Sequence, residues 1–482
     1  MEDTLMHHSK PKTAESPKSK IQSPESSMTD KHISRRTLIK RSTSAAGAVF
    51  AAAPAFGQAP TVITARRFRA WIGRGLGQGR TTLQEVALRP ISGRQVVVRT
   101  EACNLCYSNA GAVLGLTPPA AITGTNATGR SLADMAVIQG HGGVGTVEAI
   151  GPEVRRVQVG DRVCVAGTPQ CGSCYQCLRG RGDVCQFLSR IGPADMVAIG
   201  DLRDGSPVYE NSHIGGLAEL MVTWEEWVVP VFSKASAPDL GMACSCVAVA
   251  GLGATVSGTL AKIPPSATVA IVGCGPLGLS AVQGARIAGA SRIVAIDPVK
   301  ARRDVALKVG ATHVLDPNAE ADGVIDRVRE ISMERGPGDR YWAGGRDTGG
   351  RRSGSGADFV VEAAGAATVT PRVEPGPDPT GVLPMQQAYQ MCATGGDVTT
   401  TGLARGNITL PGVLFAIGGI SHHGGQYGGA NAMRDIPRFV ELMEKGQFDV
   451  KSLATRIVPL ERMLEAYEEV VYRTTITAIM TA

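Results

Sequence analysis

Four cysteines near the middle of the chain could bind a metal ion. They are Cys171, Cys174, Cys177 and Cys185, so all four fall within fifteen residues. Thiolates at this spacing can surround one tetrahedral zinc ion, with Zn–S distances of about 2.3 Å. Disulfides are the alternative, but a Cys-x₂-Cys loop is too tight for an easy bridge, and its repetition is typical of metal sites. Because four protein ligands leave no open position, we expect a structural zinc here and the chemistry elsewhere.

Two earlier residues have the types that an open zinc site needs. Cys106, followed by Ser108, and His141, which stands among glycines, lie in a region of short strand-like runs. A thiolate and an imidazole are suitable ligands for a catalytic zinc. Alone, each is weak evidence, because a single cysteine is more often an apolar core residue and a single histidine a satisfied polar one.

A glycine-rich turn in the second half predicts a dinucleotide site. The apolar run 267–272 is typical of a strand buried on both faces of a parallel sheet. The turn that follows it consists of Gly273, Cys274, Gly275, Pro276, Leu277 and Gly278. A helical pattern comes next, and a strand–turn–helix of this kind places a pyrophosphate at the helix N-terminus.

The next strand indicates which dinucleotide binds. The run 292–296 ends at Asp297, 19 residues after Gly278. A carboxylate at this place can bind both ribose hydroxyls and repels a 2′-phosphate, so NAD is favoured over NADP. We also expect Lys300 to lie at the cofactor. Lys300, Arg302 and Arg303 are cations that could accept the extra phosphate of NADP, so NADP remains the less favoured alternative.

Composition and patterning predict an α/β protein. The chain has 482 residues, of which 43% are hydrophobic and 19% charged, as expected of a globular protein with two or three domains. The net charge of +6 comes partly from a basic N-terminal tail. Since no stretch combines basic and aromatic residues, we expect no nucleic-acid partner. Short strands in the first half predict a partly open β-barrel, and the second half predicts a doubly wound parallel sheet of the Rossmann type.

The N-terminus has the layout of a twin-arginine export signal. Residues 1–33 are rich in Ser, Pro and Lys, and Arg35 and Arg36 then precede the short apolar run 45–53 and a small-residue site near Gly57. The apolar run is too short to remain as a membrane anchor. We therefore expect the twin-arginine machinery as a partner, a mature chain from about Gln58, and a periplasmic or exported protein, with the cytoplasm as the alternative. A chance Arg-Arg pair in a basic tail is the other interpretation.

The order of several motifs resembles one family. The segments 101–109, 140–152 and 159–163, followed by the four cysteines, stand in the order found in zinc-dependent medium-chain alcohol dehydrogenases. The resemblance runs from about residue 62 to the C-terminus. It implies a GroES-like catalytic domain, a Rossmann cofactor domain, an alcohol or carbonyl substrate, and a homodimer or homotetramer.

The resemblance also implies the catalytic residues. Cys106, His141 and Cys246 would hold a second, catalytic zinc with one open position, and Cys244 competes with Cys246 for the third place. The zinc would act as a Lewis acid on the substrate oxygen while NAD accepts hydride. In the family, the hydroxyl that matches Ser108 passes the proton of the alcohol onward.

This chain departs from the family pattern at several positions. Asn109 stands where the family has an aspartate that orients the zinc histidine, Gly142 replaces a glutamate, and Ala250 replaces a threonine. Segments near 111–138, 335–356 and 371–384 are added, and we expect the last two to be surface insertions. Two other functions therefore remain open. The protein could be a relative that binds zinc and NAD but catalyses weakly or not at all, or a reductase of the same fold that keeps only the structural zinc.

The motifs divide the chain into segments. We expect a tail and signal at 1–57, the catalytic domain at 58–246 with its zinc lobe at 171–185, the cofactor domain at 247–425, and a return to the catalytic domain at 426–482. His422 and His423 stand among glycines and are expected to be solvated loop residues.

The export signal gives a direct prediction. Replacing Arg35 and Arg36 by lysine in a fusion of residues 1–57 to a reporter should abolish the exported fraction, because the machinery reads the arginine pair. The conservative control Arg41→Lys should leave export unchanged. Cell fractionation measures both, and a parent fusion that stays wholly cytoplasmic would contradict the signal.

Overall fold

The computed structural model describes residues 66–74, 78–116, 129, 131, 134–190, 196–260, 262–320, 323–333 and 355–482. The predicted signal and the added segment near 335–356 lie outside these ranges, apart from the last residues of that segment. The strands are β1 (Arg67–Arg74), β2 (Gln78–Leu88), β3 (Gln95–Asn104), β4 (Ala136–Ile138), β5 (Gly143–Ile150), β6 (Arg162–Val165), β7 (Gly200–Asp201), β8 (Pro207–Glu210), β9 (Leu220–Trp224), β10 (Val228–Pro230), β11 (Thr268–Val272), β12 (Arg292–Ile296), β13 (His313–Leu315), β14 (Ala357–Glu362), β15 (Cys392–Thr400), β16 (Ser421–Gly424), β17 (Ala454–Pro459) and β18 (Thr477–Thr481).

The α-helices connect these strands and cover the second sheet. They are α1 (Ala110–Val113), α2 (Tyr175–Leu178), α3 (Ala237–Ala243), α4 (Cys246–Thr255), α5 (Pro276–Ile287), α6 (Lys300–Val309), α7 (Pro317–Glu320), α8 (Val324–Met333), α9 (Val382–Met391), α10 (Val413–Ala416), α11 (Ala432–Glu444) and α12 (Met463–Val471). No single helix in the described ranges is both long and apolar enough to cross a membrane. Only the bent pair α3 and α4, at 47°, meets the test of length and composition.

The first half forms a barrel and a second β-sheet. Strands β1, β2, β7, β8 and β4 close a small barrel, and a seven-stranded sheet has the order β10-β6-β5-β3-β18-β17 with β9 also paired to β3. Strand β3 is buried along almost its whole length, because it pairs with β5, β9 and β18. The C-terminal strands β17 and β18 thereby join the sheet of the first half.

The second half is a six-stranded parallel sheet in the order β13-β12-β11-β14-β15-β16. Strand β11 is central, and all five of its residues are buried, as its continuous apolar sequence predicts. The order in which the strands are added to the sheet reverses between β11 and β14, and ligands bind at such switch points beyond the carboxyl ends of the strands. The predicted combination of a GroES-like domain and a Rossmann-like domain is confirmed, with the detail that the small barrel is closed.

Helices α4 and α5 pack through glycines at an unusually short distance. A Cβ atom on Gly251 would lie 2.4 Å from the carbonyl oxygen of Leu277, and one on Gly284 would lie 1.9 Å from Oγ1 of Thr255. Atoms of a larger side chain cannot occupy these positions unless a helix moves. Since α4 begins at Cys246 and α5 begins directly after the glycine-rich turn, this contact fixes a candidate metal ligand relative to the cofactor turn.

The structure contradicts one expectation about a loop and adds to another. His422 and His423 lie in strand β16, where Nε2 of His422 is 2.9 Å from Oγ1 of Thr400 and Nε2 of His423 is 2.7 Å from Oδ1 of Asp397. The surrounding glycines suggested a loop, but parallel pairing with β15 determines the local structure. The segment 371–384 is largely exposed or half-buried, as expected of a surface insertion, but several of its residues also line a cavity of about 650 Å³.

The contact between α4 and α5 gives a stability prediction. Gly251→Ala should lower the free energy of unfolding by about 1–3 kcal/mol, because its methyl group must displace the backbone of α5. Gly323→Ala is the control, since no atom lies within 4 Å of its added Cβ, and it should change stability by less than about 0.5 kcal/mol. Urea unfolding of both variants measures the difference, and equal stabilities would contradict the close packing.

Candidate active site

Three candidate ligands from distant parts of the chain meet at one point. Cys106 follows β3, His141 lies in the turn between β4 and β5, and Cys246 is the first residue of α4. Sγ of Cys246 lies 3.3 Å from Sγ of Cys106 and 3.3 Å from Nε2 of His141. All three donor atoms lie within 4.8 Å of one another, which is the arrangement of three ligands around one metal ion.

The neighbouring cysteines do not join this cluster. Cys244 is buried, and its carbonyl oxygen accepts a weak hydrogen bond from Sγ of Cys164 at 3.7 Å. Sγ of Cys103 donates to the carbonyl oxygen of Gly142 at 3.0 Å, and burial raises the pKa of Cys103 to about 12. Of the two cysteines that compete for the third ligand position, the structure therefore brings Cys246 to the site.

The electrostatics of the cluster favour one thiolate in the absence of metal. A hydrogen bond from Cys246 and the nearby imidazole of His141 hold the pKa of Cys106 well below its ordinary value. The same hydrogen bond, together with burial, raises the pKa of Cys246 well above its ordinary value. Burial opposes protonation of His141, but the Cys106 thiolate outweighs it, so the pKa of His141 is raised. Two sulfur atoms and one imidazole nitrogen are the donors that zinc prefers, so the residues fit this metal.

Ser108 lies beside the three ligands and lines the cavity. Its hydroxyl donates to Sγ of Cys106 at 3.1 Å and lies 3.3 Å from Nε2 of His141. A hydroxyl at this position can exchange a proton with a substrate oxygen held next to the metal ligands.

The structure explains one of the positions that depart from the family pattern. Gly142 has φ +138°, a conformation that a glutamate would adopt only with strain, so glycine suits this backbone. Asn109 is buried, and its Oδ1 has no hydrogen-bond partner among the described residues.

Tyr467, which the sequence did not suggest, supports one of the ligands. Its hydroxyl donates a hydrogen bond to the carbonyl oxygen of Cys106 at 2.8 Å and so holds this ligand from α12.

The four-cysteine lobe forms a second cluster. Sγ of Cys171 lies 3.9 Å from Sγ of Cys177, and Sγ of Cys174 lies 3.9 Å from Sγ of Cys185. All four sulfur atoms lie within 4.8 Å of one another. Burial opposes ionisation of Cys171, but backbone N–H groups of Ser173 and Cys174 outweigh it and lower its pKa to about 6. These donors fit a closed zinc site with four thiolate ligands.

One continuous cavity of about 650 Å³ connects the three-ligand cluster with the glycine-rich turn. Cys106 and Ser108 line one end, and Gly273, Gly275 and Asp297 line the other. This volume is in the range of cofactor sites. A Cβ on Gly275 would meet no atom within 4 Å, so the backbone at the start of α5 is open to a ligand.

The remaining predicted cofactor residues have different places. Pro276 and Leu277 also line the cavity. Gly278 serves packing instead, because a Cβ on it would lie 1.7 Å from the carbonyl oxygen of Gly273. Asp297 is only 3% exposed, and its carboxylate accepts hydrogen bonds from the backbone N–H of Cys274 at 2.7 Å and of Val299 at 2.8 Å.

Lys300 is not at the cavity, contrary to the prediction. Its Nζ lies 2.8 Å from Oδ2 of Asp304, and its side chain is 72% exposed on α6. Arg302 lines the cavity in its place, and burial lowers its pKa against the opposing effect of Asp297. The helical step of about 100° per residue explains the difference, since two positions along a helix turn a side chain to another face.

Arg473 and Tyr107 are cavity-lining residues that sequence reasoning missed. Arg473 has φ +61° in the turn after α12, and its guanidinium lies 5.5 Å from the centre of the Tyr107 ring. The position of Tyr107 between two candidate site residues, Cys106 and Ser108, was the only signal available for it.

Two protein families and several known proteins are similar to this chain. Residues 92–233 match the family described as alcohol dehydrogenase GroES-like domain, and residues 276–374 match zinc-binding dehydrogenase. These matches and the relatives below support a zinc-dependent medium-chain alcohol dehydrogenase family for this chain. The probable S-(hydroxymethyl)glutathione dehydrogenase 1 of Schizosaccharomyces pombe is 26% identical over 392 residues, which are 80% of this chain and 90% of that protein.

Two further proteins are similar to this chain. Alcohol dehydrogenase B of Mycobacterium tuberculosis is 27% identical over 395 residues, which are 80% of this chain and 91% of that protein. The crystal structure of an alcohol dehydrogenase zinc-binding domain protein from Burkholderia ambifaria has a TM-score of 0.70 at 24% identity and covers 86% of this chain and 99% of its own. This structural likeness shows the fold.

The four-cysteine lobe gives a prediction about metal content and stability. Cys177→Ser should remove about one zinc per chain and lower the thermal unfolding midpoint by several degrees, since metal binding contributes directly to folding. Leu178→Ser is the control, because this neighbouring side chain is 74% exposed and is not a ligand. Atomic absorption and calorimetry measure the two effects, and an unchanged zinc content in Cys177→Ser would contradict a four-thiolate site.

Proposed function

We propose that this dehydrogenase oxidises an alcohol to an aldehyde or ketone, and catalyses the reverse reaction, with one catalytic zinc, one structural zinc and NAD. The observation that carries the proposal is the cavity that has Cys106 and Ser108, beside His141 and Cys246, at one end and the glycine-rich turn at the other. The zinc ion supplies Lewis acidity at the substrate oxygen and the nicotinamide supplies a hydride acceptor. The protein positions the two reactants in a single cavity.

The chain's own residues provide orientation and proton transfer. Cys106, His141 and Cys246, which lie on three separate elements, would hold the metal beside the cavity that Cys106 lines. The hydroxyl of Ser108 lies where it can take the proton of the substrate hydroxyl and pass it on. The backbone N–H groups at the start of α5 and the dipole of this twelve-residue helix favour the negative charge of a pyrophosphate.

The choice of NAD rests on Asp297. Two backbone hydrogen bonds fix its carboxylate at the cavity, where a negative charge repels a 2′-phosphate and can accept hydrogen bonds from ribose hydroxyls. Arg302 also lines this end of the cavity and is the group that would accept a 2′-phosphate. The negative charge of Asp297 also acts on Arg302 and opposes its attraction for a 2′-phosphate, which supports NAD as the preferred cofactor.

The second candidate function is zinc and NAD binding with little catalysis. The buried Oδ1 of Asn109, which has no partner among the described residues, favours it. Residues that orient metal ligands typically change metal affinity or activity about 10–100-fold when they are altered. Steady NADH formation from a panel of primary and secondary alcohols would exclude this candidate.

The ligand assignment predicts a contrast between two cysteines that are two residues apart. Cys246→Ser should lower the zinc content from about two to about one per chain and reduce alcohol-dependent NADH formation at least about 100-fold, because the catalytic zinc loses a thiolate. Cys244→Ser is the matched control and should keep about two zinc ions and most of the activity. A parent protein with about one zinc per chain that reduces carbonyl compounds would instead support the reductase alternative.

A further inference from the structure

Residues 366–381 form a loop that extends over the cofactor end of the cavity. The backbone N–H of Ala367 donates to the carbonyl oxygen of Pro379 at 2.8 Å, so the loop closes at its base. Between these residues the chain contains Pro371, Pro375 and Pro377. A loop of this length with adjacent ends is an Ω-loop, and its prolines limit the conformations it can adopt. We call residues 367–379 the strap.

The strap forms one wall of the cavity, opposite the predicted cofactor residues. Its lining residues are Ala367, Thr368, Val369, Pro371, Pro375, Gly376, Pro377, Asp378 and Pro379. Gly273, Gly275, Asp297 and Pro298 line the other side. A dinucleotide that follows the turn at α5 to Asp297 would therefore lie between the sheet and the strap.

The strap is attached to the catalytic half of the chain. The hydroxyl oxygen of Tyr107 accepts hydrogen bonds from the backbone N–H of Thr368 at 2.9 Å and of Val369 at 3.3 Å. Further along, the N–H of Arg372 donates to the carbonyl oxygen of Tyr472 at 3.0 Å, and its guanidinium lies 3.7 Å from the centre of the Tyr472 ring. Stacking of this kind holds the planar guanidinium in place.

The strap is attached to the cofactor half at its tip. Nδ2 of Asn318, in α7, donates to the carbonyl oxygen of Pro375 at 2.9 Å. Gly376 approaches Pro298, next to the predicted ribose-binding Asp297, because a Cβ there would lie 3.8 Å from Cγ of Pro298. The strap thus connects the two sides of the cleft, and its outward residues such as Arg372 and Glu374 are exposed.

We propose that the strap retains the dinucleotide as a resident cofactor, which leaves only when the strap detaches from Tyr107, Tyr472 and Asn318. This inference rests on the proposed function. A dinucleotide bound beneath the strap can dissociate only after the strap has moved away, and such opening steps often limit the rate of release. The strap therefore acts mainly on the dissociation rate of the nucleotide.

Cofactor exchange tests the strap directly. The zinc-loaded protein is saturated with NADH and mixed with excess NAD⁺, and the loss of protein-bound NADH fluorescence gives the dissociation rate. Replacing residues 369–377 by two glycines keeps the Ala367–Pro379 base and leaves a turn of ordinary hairpin length. We expect this variant to release NADH at least about 100-fold faster than the parent, as loss of several hydrogen bonds implies.

A single substitution provides the matched comparison. Arg372→Ala should speed release about 3–10-fold, because it removes the stacking on Tyr472 without altering a cavity-lining side chain. Arg179→Ala is the control, since Arg179 stacks on Tyr175 at 5.7 Å in the zinc lobe and should leave the release rate unchanged. Circular dichroism and zinc content verify that each variant is folded.

The outcomes separate the strap from the proposed function. Slow release by the parent and fast release by the shortened strap support the inference. Equal release rates in parent and shortened variant overturn it while the dehydrogenase proposal stands. If neither form binds NADH or NADPH, both the inference and the proposed function are wrong.

Discussion

The close packing of α4 against α5 is the constraint on which both halves of the site depend. Helix α4 starts with the metal ligand Cys246, and α5 starts with the residues that follow the cofactor turn. Glycines at the contact bring the helices together, against backbone atoms at Gly251 and against the Thr255 side chain at Gly284, and this close packing limits the distance between ligand and turn. Hydride transfer needs two reactants held in the right geometry, since a misplacement of about 1 Å can cost about 100-fold in rate, and closely packed helices favour such a fixed geometry.

The metal ligands also depend on the long strand β3. Cys106 leaves the carboxyl end of this strand, and β5, whose N-terminal turn carries His141, pairs beside it. The C-terminal strand β18 pairs with the same strand, and α12 places Tyr467 against the carbonyl oxygen of Cys106. Residues from the two ends of the chain thus support one ligand, which explains why the C-terminal segment returns to the first sheet.

Much of the fold could be predicted from local sequence patterns, but the candidate site could be predicted only from the order of the motifs along the chain. Strands β5 and β12 begin and end where alternation and β-branching predict, because both are buried by regular pairing. Neighbouring thiols show the limit of local patterns. Cys244 and Cys246 have nearly the same sequence context, and only the turn at Ser245, which caps α4 by accepting from the N–H of Ala248, aims one at the cleft. Lys300 and Arg302 are also close in sequence, but they lie on different faces of α6, and only Arg302 lines the cavity.

The strap shows why an insertion is hard to place from composition. Proline and glycine exclude regular structure, and such segments usually lie at the surface. Here one face of the segment is exposed, as composition indicates, while the other lines the cavity. What decides the outcome is a set of contacts with Tyr107, Tyr472 and Asn318, which are far apart in sequence. Because these anchors belong to both halves of the cleft, a change in the relative position of the halves would strain the strap. The proposed cofactor retention therefore depends on contacts with both sides of the cleft at once.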